Sequence, residues 1–332
     1  MTMRCFAVPV LICMASMCLA GAATPVPVIF DTDMGNDVDD ALALALLHAL
    51  ESRGECRILA VTVTKDNPWA AVYVDLVNTF YGRAHIPVGV VKNSGVTPEN
   101  SAMIQKPAER KGDDGRWVYG RRLESGAEAP DAVAVLKRAL AGEADGSVVI
   151  VQVGFSTNLA RLLASGAEAK ELARRKVKLL SIMAGNFAEP KPEFNVERDV
   201  ASAQRLLAEW PGRIVASGFE IGNSMLFPAA AIEHDFAYVK DHPVAEAYRS
   251  YKKMPYDRPT WDLTAALYAI RPDHGYFGLS APGTITADAM GRTHFAAGAG
   301  GRHQYLVMDE AQRKITLEAM ELLASQPPDG RR

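Results

Sequence analysis

Residues 25–50 read PVPVIF DTDMGNDVDD ALALALLHAL: an apolar run, ten residues that carry five aspartates, and a second apolar run. The first run is short and β-branched and reads as a buried strand, and the second reads as a helix beginning at Asp39 and running to Glu51. Asp39 and Asp40 then fall in the first helical turn, where the helix dipole favours negative charge. Capping and the dipole account for one or two of the five carboxylates. The others repel one another, and their pKa values rise unless a cation or a hydrogen-bond network compensates them. The stretch therefore asks for a cation at a strand-to-helix turn.

Moving outward, apolar β-branched runs alternate with helical patterns. Strands are expected at residues 25–30, 57–64, 86–91, 147–154, 177–185 and 213–218, and helices at 39–51, 68–81, 131–141, 157–164 and 200–210. That alternation builds βαβ units, so the fold class is α/β: an open, mostly parallel, Rossmann-like sheet flanked by helices. Residues 93–130 are polar, rich in Gly and charge, and without clear periodicity; the segment is too long for an ordinary connection and reads as a mobile insertion or a functional loop over the site. Helical patterns follow at 242–253 and 259–272, then strand candidates at 283–289 and 303–308, and a closing helix from Asp309 to Ser325. No repeat or linker divides residues 23–332, which read as one domain.

The 332 residues are 48% hydrophobic with a net charge of −3, leaving no global basic surface for nucleic acid. Residues 1–22 combine Arg4, an apolar stretch and a small-residue end at Ala20-Gly21-Ala22, the pattern of a cleaved signal peptide rather than of a stable membrane anchor. The expectation is an exported protein, periplasmic or secreted. Cys5, Cys13 and Cys18 lie in that segment, so Cys56 alone would remain, and no intrachain disulfide is expected.

In an open parallel sheet, ligands sit beyond the carboxyl ends of the strands. The polar residues there are Asp31 to Asp40, Asp66 with Asn67, Ser156 to Asn158 and Asn186 to Asn195. This set supplies Asp, Asn, Thr and Glu with almost no Lys or Arg, which suits a hard cation and a neutral polyol. Calcium takes six to eight oxygen ligands, whereas zinc would want His or Cys. An EF-hand is excluded because Leu42 stands where that loop needs its twelfth-position Glu.

The stretch PVIFDTDMGNDVDDALAL resembles the opening of the nucleoside hydrolases, calcium-dependent enzymes that split a ribonucleoside into ribose and base. The resemblance continues through AVTVTKDN, VGFSTNLA, KPEFNVERD and WDLTAAL in the expected order, over roughly Pro25 to Asp273. It implies that Asp33, Asp40, the main-chain carbonyl of Thr157 and Asp262 hold Ca2+, and that Asp33 is the general base acting on water. It further implies that Asp39, Asn67, Glu193, Asn195 and Asp262 grip the ribose, the substrate being a small-molecule nucleoside or other N-riboside. Asn186 stands either for the family's Asn ahead of its Glu-x-Asn motif or for a turn residue. The acidic motif has two more residues before its final Asp pair than the best-known members, which leaves Asp37 without an implied role. Those members also carry His where this chain has Trp261. The purine-preferring branch has Trp there, stacked on the base, and the other reading of Trp261 is a core aromatic. Trp69 is either a second face of that stack or a helix-packing residue. Relatives form homo-dimers or homo-tetramers.

Two rival readings start from the same residues. A haloacid-dehalogenase-type phosphatase also presents Asp-x-Asp after a strand, but Gly35 stands where that class places Ser or Thr, and the later motifs go unexplained. An exported nucleoside-binding protein without turnover would use the same pocket but would have no need of Asp33 as a base.

Overall fold

Strand β1, Val26–Thr32, is central: it pairs in parallel with β2, Cys56–Val63, on one side and β4, Val148–Gln152, on the other. Side chains alternate across a strand, so Val28 and Phe30 enter one apolar cluster while Ile29 enters the other, all fully buried. Full burial of such a side chain is worth about 1.5–3 kcal/mol, which fixes the register of the strand that carries the acidic turn. The computed structural model describes residues 24–93, 95–96 and 101–329; the export segment read from the sequence lies outside them.

After β1 come α1 (Asp39–Ser52), β2, α2 (Ala70–Phe80), β3 (Val88–Val90), α3 (Ala102–Glu109), α4 (Ala132–Ala141), β4, α5 (Thr157–Ala164), α6 (Ala167–Lys176), β5 (Val177–Met183), α7 (Phe194–Arg198), α8 (Val200–Glu209) and β6 (Ile214–Ser217). The remainder holds α9 (Phe219–Asn223), β7 (Leu226–Phe227), α10 (Ala229–His234), α11 (Pro243–Tyr251), β8 (Arg258–Pro259), α12 (Trp261–Ile270), β9 (Gly278–Leu279), β10 (Gly283–Ala287), β11 (Thr293–Ala297), β12 (His303–Val307) and α13 (Glu310–Ala324). The main sheet runs β11-β10-β12-β6-β5-β4-β1-β2-β3, parallel from β12 to β3. Helices α1, α2, α11 and α12 pack on one face, and α4, α5, α6 and α8 on the other. The winding reverses between β1 and β4, which opens a crevice at their carboxyl ends.

Helix α12 is buried along its whole length and wedged between α1 and the sheet, where Ser181 of β5 donates to the Ala265 carbonyl at 2.8 Å. Its first turn, with Asp262, therefore arrives at the crevice.

Residues 101–130 are more ordered than their sequence pattern suggests. Their helix α3 buries Met103, Ile104, Pro107 and Ala108, too short a run to show as periodicity among charged neighbours. A buried acid and a half-buried one also hold the segment. Asp75 of α2 accepts from the Leu123 N–H at 3.0 Å and from the Arg122 side chain at 3.0 and 3.1 Å. Glu246 of α11 takes Arg110 and Tyr119. Helix α6 and the edge strand β11 are further elements that the sequence reading did not resolve. Among the described residues, no helix is long and apolar enough to cross a membrane.

Candidate active site

A cavity of about 500 Å³ opens at the reversal point, lined by the carboxylates Asp33, Asp39, Asp40 and Asp262 and by the aromatic rings of Phe194, Phe219, Tyr251 and Trp261. Glu193, Asn195, Asn36, Asp37 and Arg258 complete most of the polar lining. The acidic residues come from two helix starts and one strand end. Thr32, the last residue of β1, donates from its hydroxyl to Asp40, and the Asp262 N–H donates to Asp39 Oδ2 at 3.0 Å.

One carboxylate oxygen from each of Asp39, Asp40 and Asp262 lies within 4.8 Å of the others, and all three residues are buried. The Lys65 ammonium acts on Asp40 and the Arg258 guanidinium on Asp262, but neither offsets the crowding of the carboxylates. Burial first, and then the neighbouring carboxylates, push all three well above the usual carboxylate range. Asp33 is raised to about 6 by burial, with the Asn36 amide and the Lys65 ammonium pulling the other way. A divalent cation would reverse these shifts, and an all-oxygen set fits a hard one. The cluster thus has the composition and the charge deficit of a metal centre.

Glu193 caps α7 and accepts from the main-chain N–H groups of Gly185 and Asn195, both at 3.0 Å; burial still lifts its carboxyl to about 7. The Asn195 amide straps the ends of β4 and β5, donating to the carbonyls of Val153 at 2.7 Å and Met183 at 3.1 Å. Its Oδ1 has no partner among the described residues, so one acceptor stays available. Asp31 sits beneath the site, fully buried and raised to about 7 by that burial, with Thr62 and Asn158 donating to one oxygen.

Trp261 opens α12. Its indole N–H donates to the Phe219 carbonyl at 3.0 Å, and the two rings stack with centroids 5.3 Å apart. Trp261 thus lines the cavity as well as packing against the core.

Four residues singled out from sequence, Asn67, Asn186, Thr157 and Trp69, are not in the cavity lining. Asn67 donates to Ser101 and accepts from the Trp69 N–H at 2.7 Å, serving the start of α2. Asn186 accepts from the Glu189 N–H at 2.9 Å, as a turn residue does. Thr157 starts α5 and gives its hydroxyl to Asp199. Trp69 packs against the core and is absent from the lining. Conversely, Asp37 has a partner that the sequence did not suggest, Arg258, whose Nε lies 2.7 Å from Asp37 Oδ1. Phe194, Phe219 and Tyr251 were also missed; nothing local in their sequence marks them, since they come from separate helices.

A doubly wound sheet with a buried, oxygen-only acidic cluster at its reversal point defines a metal-site α/β enzyme. The sequence model of the inosine-uridine preferring nucleoside hydrolases matches residues 28–318, and the chain belongs to that family. It is a ribonucleoside hydrolase acting on N-glycosyl bonds. A search of curated protein sequences returns no match. Among solved structures it is similar to a plant nucleoside hydrolase, PpNRh1, at 19% identity with a TM-score of 0.67, covering 91% of this chain and 100% of that one. It is similar to the inosine-uridine preferring nucleoside hydrolase of Bacillus anthracis at 18% identity and a TM-score of 0.67, covering 90% and 99%. It is also similar to the purine-preferring ribonucleoside hydrolase of Gardnerella vaginalis at 18% identity and a TM-score of 0.66, covering 90% and 99%. At these identities the likeness concerns the fold.

Proposed function

We propose that the protein hydrolyses purine ribonucleosides to ribose and free base in a calcium-dependent reaction, with Asp33 as general base. The observation that carries this reading is a single cavity lined both by a buried carboxylate cluster and by aromatic rings. Asp33, Asp40 and Asp262, with the main-chain oxygen of Thr157, would hold the ion. When bound, Ca2+ would neutralise these carboxylates and raise the acidity of water at the site.

The chain's own groups supply the rest. Asp39, Asp262, Glu193 and the free Oδ1 of Asn195 take the ribose hydroxyls and orient the sugar. Cleavage of the N-glycosidic bond builds positive charge on the ribose ring, and the carboxylates lining the cavity stabilise it. Asp33, a buried carboxylate on the cavity wall, removes a proton from the attacking water as the general base. Trp261, braced by Phe219, offers a flat face to a bicyclic base. If residues 1–22 act as the signal peptide read from the sequence, the activity would lie outside the cytoplasm and serve to scavenge nucleosides.

Ribose release from inosine, adenosine, guanosine, uridine and cytidine, measured with calcium and after chelation, tests the reading. Calcium-dependent release favouring purines is expected, falling by about 10²- to 10⁴-fold in Asp33→Ala. A preference for uridine would sink the stacking account. Binding of nucleosides without release would replace hydrolysis by capture.

A further inference from the structure

We propose that Arg258 reads the leaving base, donating from the free end of its guanidinium to two adjacent acceptors on one edge, the O6 and N7 of a 6-oxopurine, and that Asp37 is the residue that positions it. The inference rests on the reading of the cavity as a purine ribonucleoside site, and it names the part of the base that the site recognises.

A guanidinium has two edges that can each make a paired contact: a side edge from Nε and one terminal nitrogen, and an end edge from both terminal nitrogens. In Arg258 the side edge is taken. Its Nε lies 2.7 Å from Asp37 Oδ1, and its Nη2 meets Asp37 Oδ2. Nη1 has no hydrogen-bond partner among the described residues, so the end edge remains. Asp37 is itself held, accepting from the Val38 N–H at 2.6 Å. Arg258 lies in the short β7–β8 pair, opposite Phe227, and its guanidinium sits 5.1 Å from the Tyr251 ring centroid and 5.0 Å from that of Trp261. Contact with both rings and the paired contact with Asp37 leave it little freedom to swing.

The charge balance selects the ligand. An Arg without a counter-ion in a pocket would suit a carboxylate or phosphate, but Asp37 already neutralises this one, and a second anion would face that carboxylate. What fits is a neutral, planar edge with two acceptors, flanked by a ring that can lie on Trp261. The O6 and N7 of a 6-oxopurine form such an edge and match the Arg fork. Adenine places an amino donor where the oxygen would be, so donor would face donor. As the base departs it gathers electron density, and the donation to N7 strengthens in the transition state. The pair also gives Asp37, from the longer acidic motif, a role that the metal cluster does not need.

The test compares kcat/KM for inosine, adenosine and p-nitrophenyl riboside in the wild type, Arg258→Met, Arg258→Lys and Asp37→Asn. The wild type should prefer inosine to adenosine. Both Arg258 variants should lower that ratio by about 5- to 150-fold, the span of one paired base contact. Arg258→Lys keeps the cation beside Asp37, so it remains informative if the Met variant folds poorly. Asp37→Asn should lower the ratio in the same direction, mainly through KM for inosine. An unchanged ratio, or equal losses on all three substrates, would overturn the proposal. A wild type that cleaves p-nitrophenyl riboside without discriminating inosine from adenosine would overturn it too, while leaving the ribohydrolase reading in place. No ribose from any substrate would instead overturn that reading itself.

Discussion

The main-chain N–H of Asp262 donates to Asp39 Oδ2 at 3.0 Å, joining two carboxylate residues that are 223 positions apart in the chain. Both stand in the first turn of a helix, α12 and α1. The two helix starts are therefore fastened together with their positive ends toward one acidic cluster, an arrangement that lowers the cost of collecting negative charge there.

That cost is not removed, which leads to a prediction about cation removal. At 100 times its dissociation constant, a bound cation stabilises the fold by about 2.7 kcal/mol. Thermal melting should show a calcium-dependent rise that a chelator reverses. Asp262→Asn keeps the N–H to Asp39 and loses one like charge. Its melting temperature without calcium should match or exceed the wild type's, while its response to calcium largely disappears. A variant that responds to calcium as strongly as the wild type would place the ion elsewhere.

Close backbone approach beside Trp261 gives a second prediction. A Cβ built at Gly222 would lie 2.3 Å from the Trp261 Cα. Gly222→Ala must therefore displace the start of α12, moving Trp261 and Asp262 together. Activity should fall by at least about 10-fold, since misplacement on the scale of an ångström costs about that or more, and calcium affinity should fall with it. Loss of activity with intact calcium binding would separate the two residues and count against a shared support.

His48 supplies a pH dependence. It is fully buried in α1, stacked on Tyr81, with Nε2 2.9 Å from Asn78 Oδ1, and burial, aided by Arg83, lowers its pKa to about 3. A neutral ring facing a carbonyl oxygen donates from Nε2. The unfolded chain protonates this His below about 6.5 and the folded chain does not, so between the two values unfolding takes up a proton. The contribution of His48 is complete above about pH 6.5 and is lost by about 1.4 kcal/mol per unit as pH falls. Between pH 7 and 4.5 the wild type should lose about 2 to 3 kcal/mol more stability than His48→Gln, measured by urea denaturation. Parallel losses in the two proteins would mean that His48 titrates normally in the fold.

The parts of the site that could be read from sequence are those in which neighbours in the chain remain neighbours in space. Strand β1, its acidic turn and α1 are contiguous, and so are Glu193 with Asn195 and Trp261 with Asp262. Contacts across the chain could not be read. The partner of Asp37 lies 221 positions away in Arg258, and Trp261 is braced by Phe219, 42 positions earlier. Asn67 shows the opposite failure: its place after β2 suggested the cavity, but Ser101, at the start of the inserted helix, takes its amide. The insertion hid its helix because the apolar stripe of α3, Met103, Ile104, Pro107 and Ala108, spans little more than one turn among charged neighbours.

The polar ties that also hold this segment carry the last prediction. Asp75 is fully buried and accepts from the main-chain N–H of Leu123 as well as from the half-exposed Arg122 side chain. Asp75→Asn would turn an amide donor toward groups that are themselves donors and would leave the guanidinium without its charge partner. Because Arg122 is half-exposed, the cost is mainly that of mispaired buried donors, about 1–3 kcal/mol. The loss should be local, because Asp75 ties residues 122–123 to α2, whereas Met103, Ile104 and Ala108 anchor α3 by apolar packing. Hydrogen exchange around residues 122–123 should quicken while β1 and α1 keep their protection. Activity should change little, because Ile104 of the anchored helix lies against Gly35, so closely that a Cβ on Gly35 would come within 2.5 Å of its Cδ1. The Met34 to Asp37 turn then keeps its support, so KM for the nucleoside should stay close to that of the wild type. Unchanged exchange around residues 122–123 would show that apolar packing alone holds the insertion in place.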